Sequence, residues 1–526
     1  MRSEFRHTSH RFDSRSLHSS HFCASPSAIM PVLVGMPETF VEGFHEVTAV
    51  MKMKYRTVPH LGCVPLPRLP LVPWARSLCV CACARIGSKV SVLSLGGSGF
   101  AGMHSASSAA GVNSASALPM SSEDKWFAED AEADKQKVLE IVTACLKAGV
   151  NLIDTAHWYG QGRSERLLGH ALSKLPRNAY HIFTKIGRYD TALLQMFDFS
   201  YEKTYQAGQD SLKRLRCEYI TSLQVHDPEF APSYEIILNE TLPALQRLKE
   251  EGVCRLIGMT GYPLDLQQEI ISRSSIALQT SLTYCHYTLS DTSVLASGFI
   301  EFCEKKGIAL INAAPIAMGL HTLASPPGWH PAKPETKALC AKAAKYCMQE
   351  NVDICKLALH FSMSHERLPS TLISCTSLQE LAANVRAATE PLSAHEQQVL
   401  AYLVDKIFKP AGPQTWHGVE LQAYWTSVGK ALLTQRLYDG GAQNGCSAGQ
   451  GDSMGARYGS SAARKLVPTV ADSDFSIAVG MALLLVGIAV LVAACMGYND
   501  YERLVVLLGP SPPPPPPPPS KFLGLF

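Results

Sequence analysis

Residues 91–102 read SVLSLGGSGFAG. Gly97-Ser98-Gly99-Phe100-Ala101-Gly102 spells G-x-G-x-x-G after an apolar run that suits a strand, which is the spacing of a phosphate-gripping turn in an open, doubly wound sheet. That turn must run directly into a helix, because the helix's first N–H groups meet the phosphates. Here the chain continues MHSASSAAGVNSASALPMSSEDK over residues 103–125, and helical periodicity begins only near Asp134. The match is therefore read as a strand end. Gly96 and Gly97 then serve to let a cofactor or substrate approach the backbone.

Beyond this stretch a regular alternation of helix-like and strand-like runs follows. In residues 137–149 Val138, Ile141, Val142, Cys145 and Leu146 fall on one helical stripe, with Gly149 suited to the end. NLID at 151–154 reads as a short buried strand, and further strand-like runs occur at HIFTK (181–185), ITSLQVH (220–226), RLIGMTG (255–261), IALQTSL (276–282), IALINAA (308–314) and STLISC (370–375). Helical stretches separate them. About eight β/α units predict a (β/α)8 TIM barrel of α/β class, with its site at the C-terminal strand ends. An open doubly wound sheet is the rival.

Composition narrows the function. The chain is 46% hydrophobic, enough for a large core, and its formal net charge of +2 gives no electrostatic case for a nucleic-acid partner. Cys145, Cys217, Cys254, Cys303, Cys340 and Cys355 sit singly inside helix- or strand-like runs, as reduced core residues do. Cys79, Cys81 and Cys83 form a Cys-x-Cys-x-Cys run with no second ligand pair at zinc spacing, so no metal site is expected.

The ends differ in character. Residues 1–52, rich in Arg, His and Ser, read as a leader, either a transit peptide or a disordered segment. The barrel is assigned to 53–425, a flexible linker to 426–474, a single transmembrane helix to 475–497 and a Pro-rich tail to 498–526. The span rests on IAVGMALLLVGIAVLVAACM at 477–496, which carries no charge and is about the length a bilayer needs. Arg457, Arg464 and Lys465 before it outnumber Arg503 and Lys521 after it, which puts a single-pass protein's barrel in the cytosol. The prolines at 512–519 suit a stiff tail or a ligand for a proline-binding module.

Chemistry-bearing residues recur at successive strand ends. Asp154 ends one strand, Tyr159 follows it in DTAHWYGQGRSE (154–165), Lys185 ends the next and His226 the one after. An acid, a phenol, an amine and an imidazole on one rim suit proton-coupled hydride transfer. A free phenol has a pKa of about 10. The expectation is that the ammonium of Lys185, held by Asp154, lowers that value, while His226 orients the reacting oxygen.

These four residues resemble, in order and context, the catalytic tetrad of the aldo-keto reductases. Further matching segments are FDFS (197–200), ALQRLKEEG (244–252), RLIGMTGYPLD (255–265), YCHY (284–287), APIAMGL (314–320) and WHPAKPE (329–335). They resemble most the plant branch that oxidises L-galactose, and the likeness spans roughly residues 53–416. It implies a barrel that binds an extended nicotinamide cofactor and oxidises an aldose at its anomeric carbon to a lactone, with Tyr159 as the proton acceptor. Oxidation of L-fucose or a D-threo-aldose, or general aldehyde and ketone reduction, are alternatives. From another class, so is a non-catalytic cofactor-sensing subunit of a membrane complex.

The resemblance also implies the cofactor contacts, with departures. Thr260 and Gly261 stand where the family has a Ser-Asn pair for the carboxamide. Ala313 aligns with a ring-stacking Tyr, and Ala314 and Ile316 follow it. Near the adenosine, Ser374 and Glu380 replace basic residues of NADP-using members, and Asn384 is retained; a carboxylate there repels a 2′-phosphate, so NAD is expected over NADP. Finally, MKYRTVPHLG (53–62) and GSKVSVLSLGG (87–97) match two halves of one family pattern. Residues 63–86 between them read as an insertion from a retained intron or a gene-model error, which sequencing transcripts across the junction tests.

Overall fold

A computed structural model describes residues 36–58, 88–101, 130–324 and 326–443. Within them eight parallel strands close into a barrel in chain order: β3 (Leu93–Gly96), β4 (Leu152–Asp154), β5 (His181–Ile186), β6 (Ile220–His226), β7 (Cys254–Thr260), β8 (Thr280–Tyr284), β9 (Ala309–Ala313) and β10 (Thr371–Ser374). The circle closes where β10 pairs with β3, Thr371 opposite Leu93 and Ser374 opposite Gly96. Helices pack outside the strands, so each strand is apolar on its outer face and its alternate residues fill the barrel. Leu152, Phe183, Leu256, Leu282, Ile311 and Leu372 form that inner layer.

A hairpin closes the floor. β1 (Tyr55–Val58) pairs antiparallel with β2 (Ser88–Ser91), and its buried Val58 and Val90 join the inner apolar layer. Arg56 ties the hairpin down by donating to the carbonyl oxygens of Leu368 at 2.6 Å and Met363 at 2.8 Å.

The glycine-rich stretch is a strand end. Gly96 closes β3, Gly97–Ala101 makes a 3-10 turn, and the next described helix is Glu132–Lys147, which buries the five stripe residues the sequence singled out. The space expected to admit a ligand at Gly97 is instead taken by the chain itself: a Cβ there would lie 2.8 Å from Ser164 Oγ and 2.9 Å from Thr155 Oγ1. At Gly96 a Cβ would meet Ser374 Oγ at 2.9 Å. Both glycines let neighbouring elements pack at the strand ends.

Two boundaries move. The end of the expected leader is structured: Val47–Lys52 is a short helix, Val50 is buried, and Asn151 donates to Thr39 Oγ1 at 2.9 Å. The expected linker at 426 is crossed by a helix, Val419–Gln443, whose Tyr424 packs on Phe197 and Phe230. The expected insertion 63–86, the Cys-x-Cys-x-Cys run, the span 475–497 and the Pro-rich tail lie outside the described residues. Among the described residues no helix is long and apolar enough to cross a membrane. The six singly placed cysteines are free.

Burial makes the barrel acid-sensitive. His181 on β5, His226 on β6 and His321 after β9 are pushed down by desolvation to about 3, about 3 and about 4. Their folded-state values lie below the unfolded one, so this stability is whole above about pH 6.5 and is lost as pH falls below it. At about pH 5 each histidine costs about 2 kcal/mol relative to pH 7. The urea midpoint should therefore fall steeply between those pH values and fall less in His181→Asn; a flat midpoint contradicts this.

Candidate active site

The barrel brings the four candidate residues to one rim. Asp154 is the last residue of β4, Lys185 the penultimate residue of β5 and His226 the last of β6, while Tyr159 sits in the loop that follows β4. Asp154, Lys185 and His226 are buried, and Tyr159 is partly exposed. The Lys185 ammonium donates to the Asp154 carboxylate, to the Thr155 carbonyl at 2.9 Å and to the Tyr159 hydroxyl at 3.4 Å. The Tyr159 and His226 rings meet edge to face, with centroids 6.1 Å apart.

A residue the sequence reading passed over completes this ion pair. Gln224 donates to the second oxygen of Asp154 at 3.1 Å. It lies two residues before His226, so strand alternation puts both on the inner face. Gly258 on β7 makes the room: a Cβ there would lie 2.8 Å from Gln224 Cγ and 2.0 Å from Thr280 Oγ1.

The electrostatics follow from burial and neighbours. Burial pushes the Asp154 carboxyl up and Lys185 pulls it back. Burial also works against the Lys185 ammonium, but Asp154 and Tyr159 outweigh it and leave Lys185 above its ordinary value, so the proton stays on the amine. For Tyr159 the sequence expectation is reversed. Burial raises the phenol, and Lys185 opposes that rise without overcoming it. Desolvation is the larger effect, and the negative charge of Asp154 adds to the rise. His226 is neutral at working pH, its Nδ1 buried without a hydrogen-bond partner.

Beyond the tetrad the rim is polar on one side and aromatic on the other. Asp227 stands in left-handed conformation at φ 53°, its Oδ2 accepting from Arg188 at 2.8 Å and lying 3.7 Å from His226 Nε2. The Arg188 guanidinium sits 4.1 Å from the Trp158 ring centroid. Burial, with Asp227 beside it, pushes the Glu229 carboxyl up to about 8. One Glu229 oxygen accepts from Tyr262 N–H at 3.0 Å; the other is buried without a partner. Phe197 and Phe230 stack at 4.5 Å, and Tyr424, from the helix Val419–Gln443, meets each edge-on at 5.2 Å. Glu420 on the same helix is raised by burial and lowered by Arg188. The sequence reading missed these residues. The acids of HDPEF (226–230) were a visible signal, whereas nothing local announced the distant Glu420 and Tyr424.

The expected cofactor contacts fall in separate places. Thr260 ends β7 opposite His226, and at Gly261 a Cβ would lie 2.6 Å from the unpartnered Glu229 oxygen. Ala314 follows β9 at φ 56°, and its carbonyl accepts from Ala317 N–H at 2.8 Å across a turn that includes Ile316. Glu380 stands in the first turn of the helix Leu378–Thr389 after β10, where its carboxylate accepts from Thr376 N–H at 2.6 Å. Asn384, one helical turn on, lies beside Leu93, Leu95 and Ile373. Among the described residues no group of His, Cys, Asp or Glu side chains converges to hold a metal ion.

Residues 120–404 match the aldo/keto reductase family. The chain is 38% identical over 278 residues to the L-galactose dehydrogenase of Arabidopsis thaliana, covering 52% of this chain and 85% of that protein. It is 29% identical over 294 residues to the D-arabinose 1-dehydrogenase of Saccharomyces cerevisiae, covering 53% and 86%. The holo form of an aldo-keto reductase from Bacillus halodurans aligns at 23% identity and a TM-score of 0.45, covering 67% of this chain and 96% of that one.

Proposed function

The chain belongs to the aldo/keto reductase family, and on that premise we propose that it is an NAD-dependent aldose 1-dehydrogenase that oxidises L-galactose at C1 to the 1,4-lactone. The observation that carries this is the Tyr159 hydroxyl 3.4 Å from a Lys185 ammonium that Asp154 anchors, beside a neutral His226. The identity to a plant L-galactose dehydrogenase supports the choice of sugar.

The rim fits a nicotinamide and a polyol. Two buried polar atoms without partners, His226 Nδ1 and one oxygen of Glu229, flank Thr260 and Gly261, and a polar ligand would meet them there. A bound nicotinamide supplies the acceptor for the hydride that leaves C1. Tyr159 takes the proton of the anomeric hydroxyl, with Lys185 beside it stabilising the phenolate that does so. His226, uncharged, orients the anomeric oxygen by a hydrogen bond. Arg188, Asp227 and Glu420 face the sugar's other hydroxyls, and the rings of Phe197, Phe230 and Tyr424 exclude water.

Glu380 favours NAD. Its carboxylate already accepts from the Thr376 N–H just before a helix start, near where a 2′-phosphate would bind. A panel of aldoses with NAD and NADP tests both choices. L-Galactose with NAD should give the highest kcat/KM, and Glu380→Ser should shift the NAD/NADP preference toward NADP about tenfold, or about 1.4 kcal/mol. No turnover with L-galactose, or NADP preferred by the wild type, contradicts the proposal. The apolar run at 477–496 supports a single-pass anchor, and the positive charges before it support a barrel in the cytosol; release by carbonate extraction would contradict the anchor.

A further inference from the structure

Behind the rim, on the outer face of the barrel, lies an ion pair that the reaction does not touch. Arg214 Nε donates to Glu165 Oε2 at 2.8 Å, and neither side chain has any exposure to solvent. Arg214 belongs to the last turn of the helix Tyr201–Leu215 and Glu165 to the first turn of the helix Arg163–Leu172. A cation at one helix's C-terminus and an anion at another's N-terminus are each favoured. Burying such a pair gives little net stability, since an apolar pair of similar volume does as well or better. Its connections point to another role.

Each partner reaches toward one member of the tetrad. Glu165 Oε1 accepts from Thr184 Oγ1 at 2.6 Å, and Thr184 is the residue before Lys185 on β5. Arg214 Nη2 contacts His157 Nδ1 at 2.9 Å, and His157 lies two residues before Tyr159. Arginine only donates, so His157 Nδ1 accepts and the ring proton sits on Nε2. The His157 backbone N–H reaches the Lys185 carbonyl at 3.5 Å, and the His157 carbonyl accepts from Gly162 N–H at 2.7 Å, which closes the loop on itself. One buried network thus holds the strand of the ammonium and the loop of the phenol together.

We propose that Arg214 is a positioning residue, which sets the separation of Tyr159 and Lys185 through His157 on one side and Glu165 with Thr184 on the other. This rests on the dehydrogenase reading above and adds a residue that touches neither substrate nor cofactor. A fixed fork suits the task better than a flexible amine, because it engages Glu165, His157 and, at 3.1 Å, Ser211 Oγ together. A displacement of about 1 Å at the reacting groups costs about a hundredfold in rate.

The test uses the full-length chain and three variants. Glu165→Met with Arg214→Met removes both charges while keeping core volume. His157→Phe keeps the ring and the ion pair but deletes the acceptor, and His157→Gln restores an acceptor. In the double variant and in His157→Phe, kcat should fall about 10–100-fold. The dissociation constant for NADH, read by its fluorescence, should change less than about twofold, and the deuterium isotope effect for a C1-labelled sugar should rise as the chemical step becomes limiting. His157→Gln should recover most of the rate. If the double variant does not fold, the two His157 variants carry the same test. Unchanged kcat in folded variants, or a parallel loss of NADH affinity and rate with no change in isotope effect, overturns the proposal. A wild type that binds no NADH and oxidises no aldose would instead end the dehydrogenase reading.

Discussion

Tyr159→Phe is expected to lower kcat for aldose oxidation by about 10²–10⁴-fold, the contribution of a positioned proton acceptor. NADH affinity should be unchanged, because only the hydroxyl group is removed and it faces Lys185. The pH profile adds a second reading. Burial holds the phenol above its ordinary value, so little phenolate exists near neutrality. Oxidation by the wild type should therefore keep climbing as pH rises above neutrality, while the reverse reduction, which needs the protonated phenol, should not. The variant's residual rate should lose that slope. Full activity in Tyr159→Phe would remove the phenol from the mechanism.

Asp154→Asn should produce the largest loss of stability, about 3–5 kcal/mol, by stranding the buried Lys185 ammonium without its counter-charge. The pair is nearly inaccessible to water, with Lys185 and Asp154 side chains 2% and 5% exposed, so solvent cannot take over. Gln224, which donates to Asp154, cannot supply the missing charge. Replacing both partners, as Asp154→Leu with Lys185→Met, should restore most of the stability while leaving the enzyme inactive, since no unpaired charge remains but the ammonium is gone. Urea unfolding of the three proteins measures this. Equal stability of Asp154→Asn and wild type would mean that water enters the site.

The barrel and its tetrad were legible in the sequence because both depend on local order. Strand and helix runs alternate with distinct periods, and the C-terminal ends of consecutive parallel strands meet on one rim whatever the intervening loops do. The false dinucleotide turn at Gly97 was recognised by the same local logic, from the absence of a helix after it. What sequence alone did not show is set by partners far away along the chain. Glu420 and Tyr424 reach the rim from a helix that composition assigns partly to a linker. The Arg214–Glu165 pair is hidden among ordinary helix residues. The direction of the Tyr159 shift turns on how completely the site is buried, and no spacing of residues reports burial.

In the proposed reaction hydride would pass from the sugar's C1 to a bound nicotinamide while Tyr159 takes the proton. Mass spectrometry of the nucleotide formed from C1-deuterated L-galactose and NAD tests it most directly. One deuterium on the nicotinamide is expected for each lactone formed, with formation slowed about 10²–10⁴-fold in Tyr159→Phe. Reduced nucleotide without the label, or lactone formed equally fast by the variant, would contradict it.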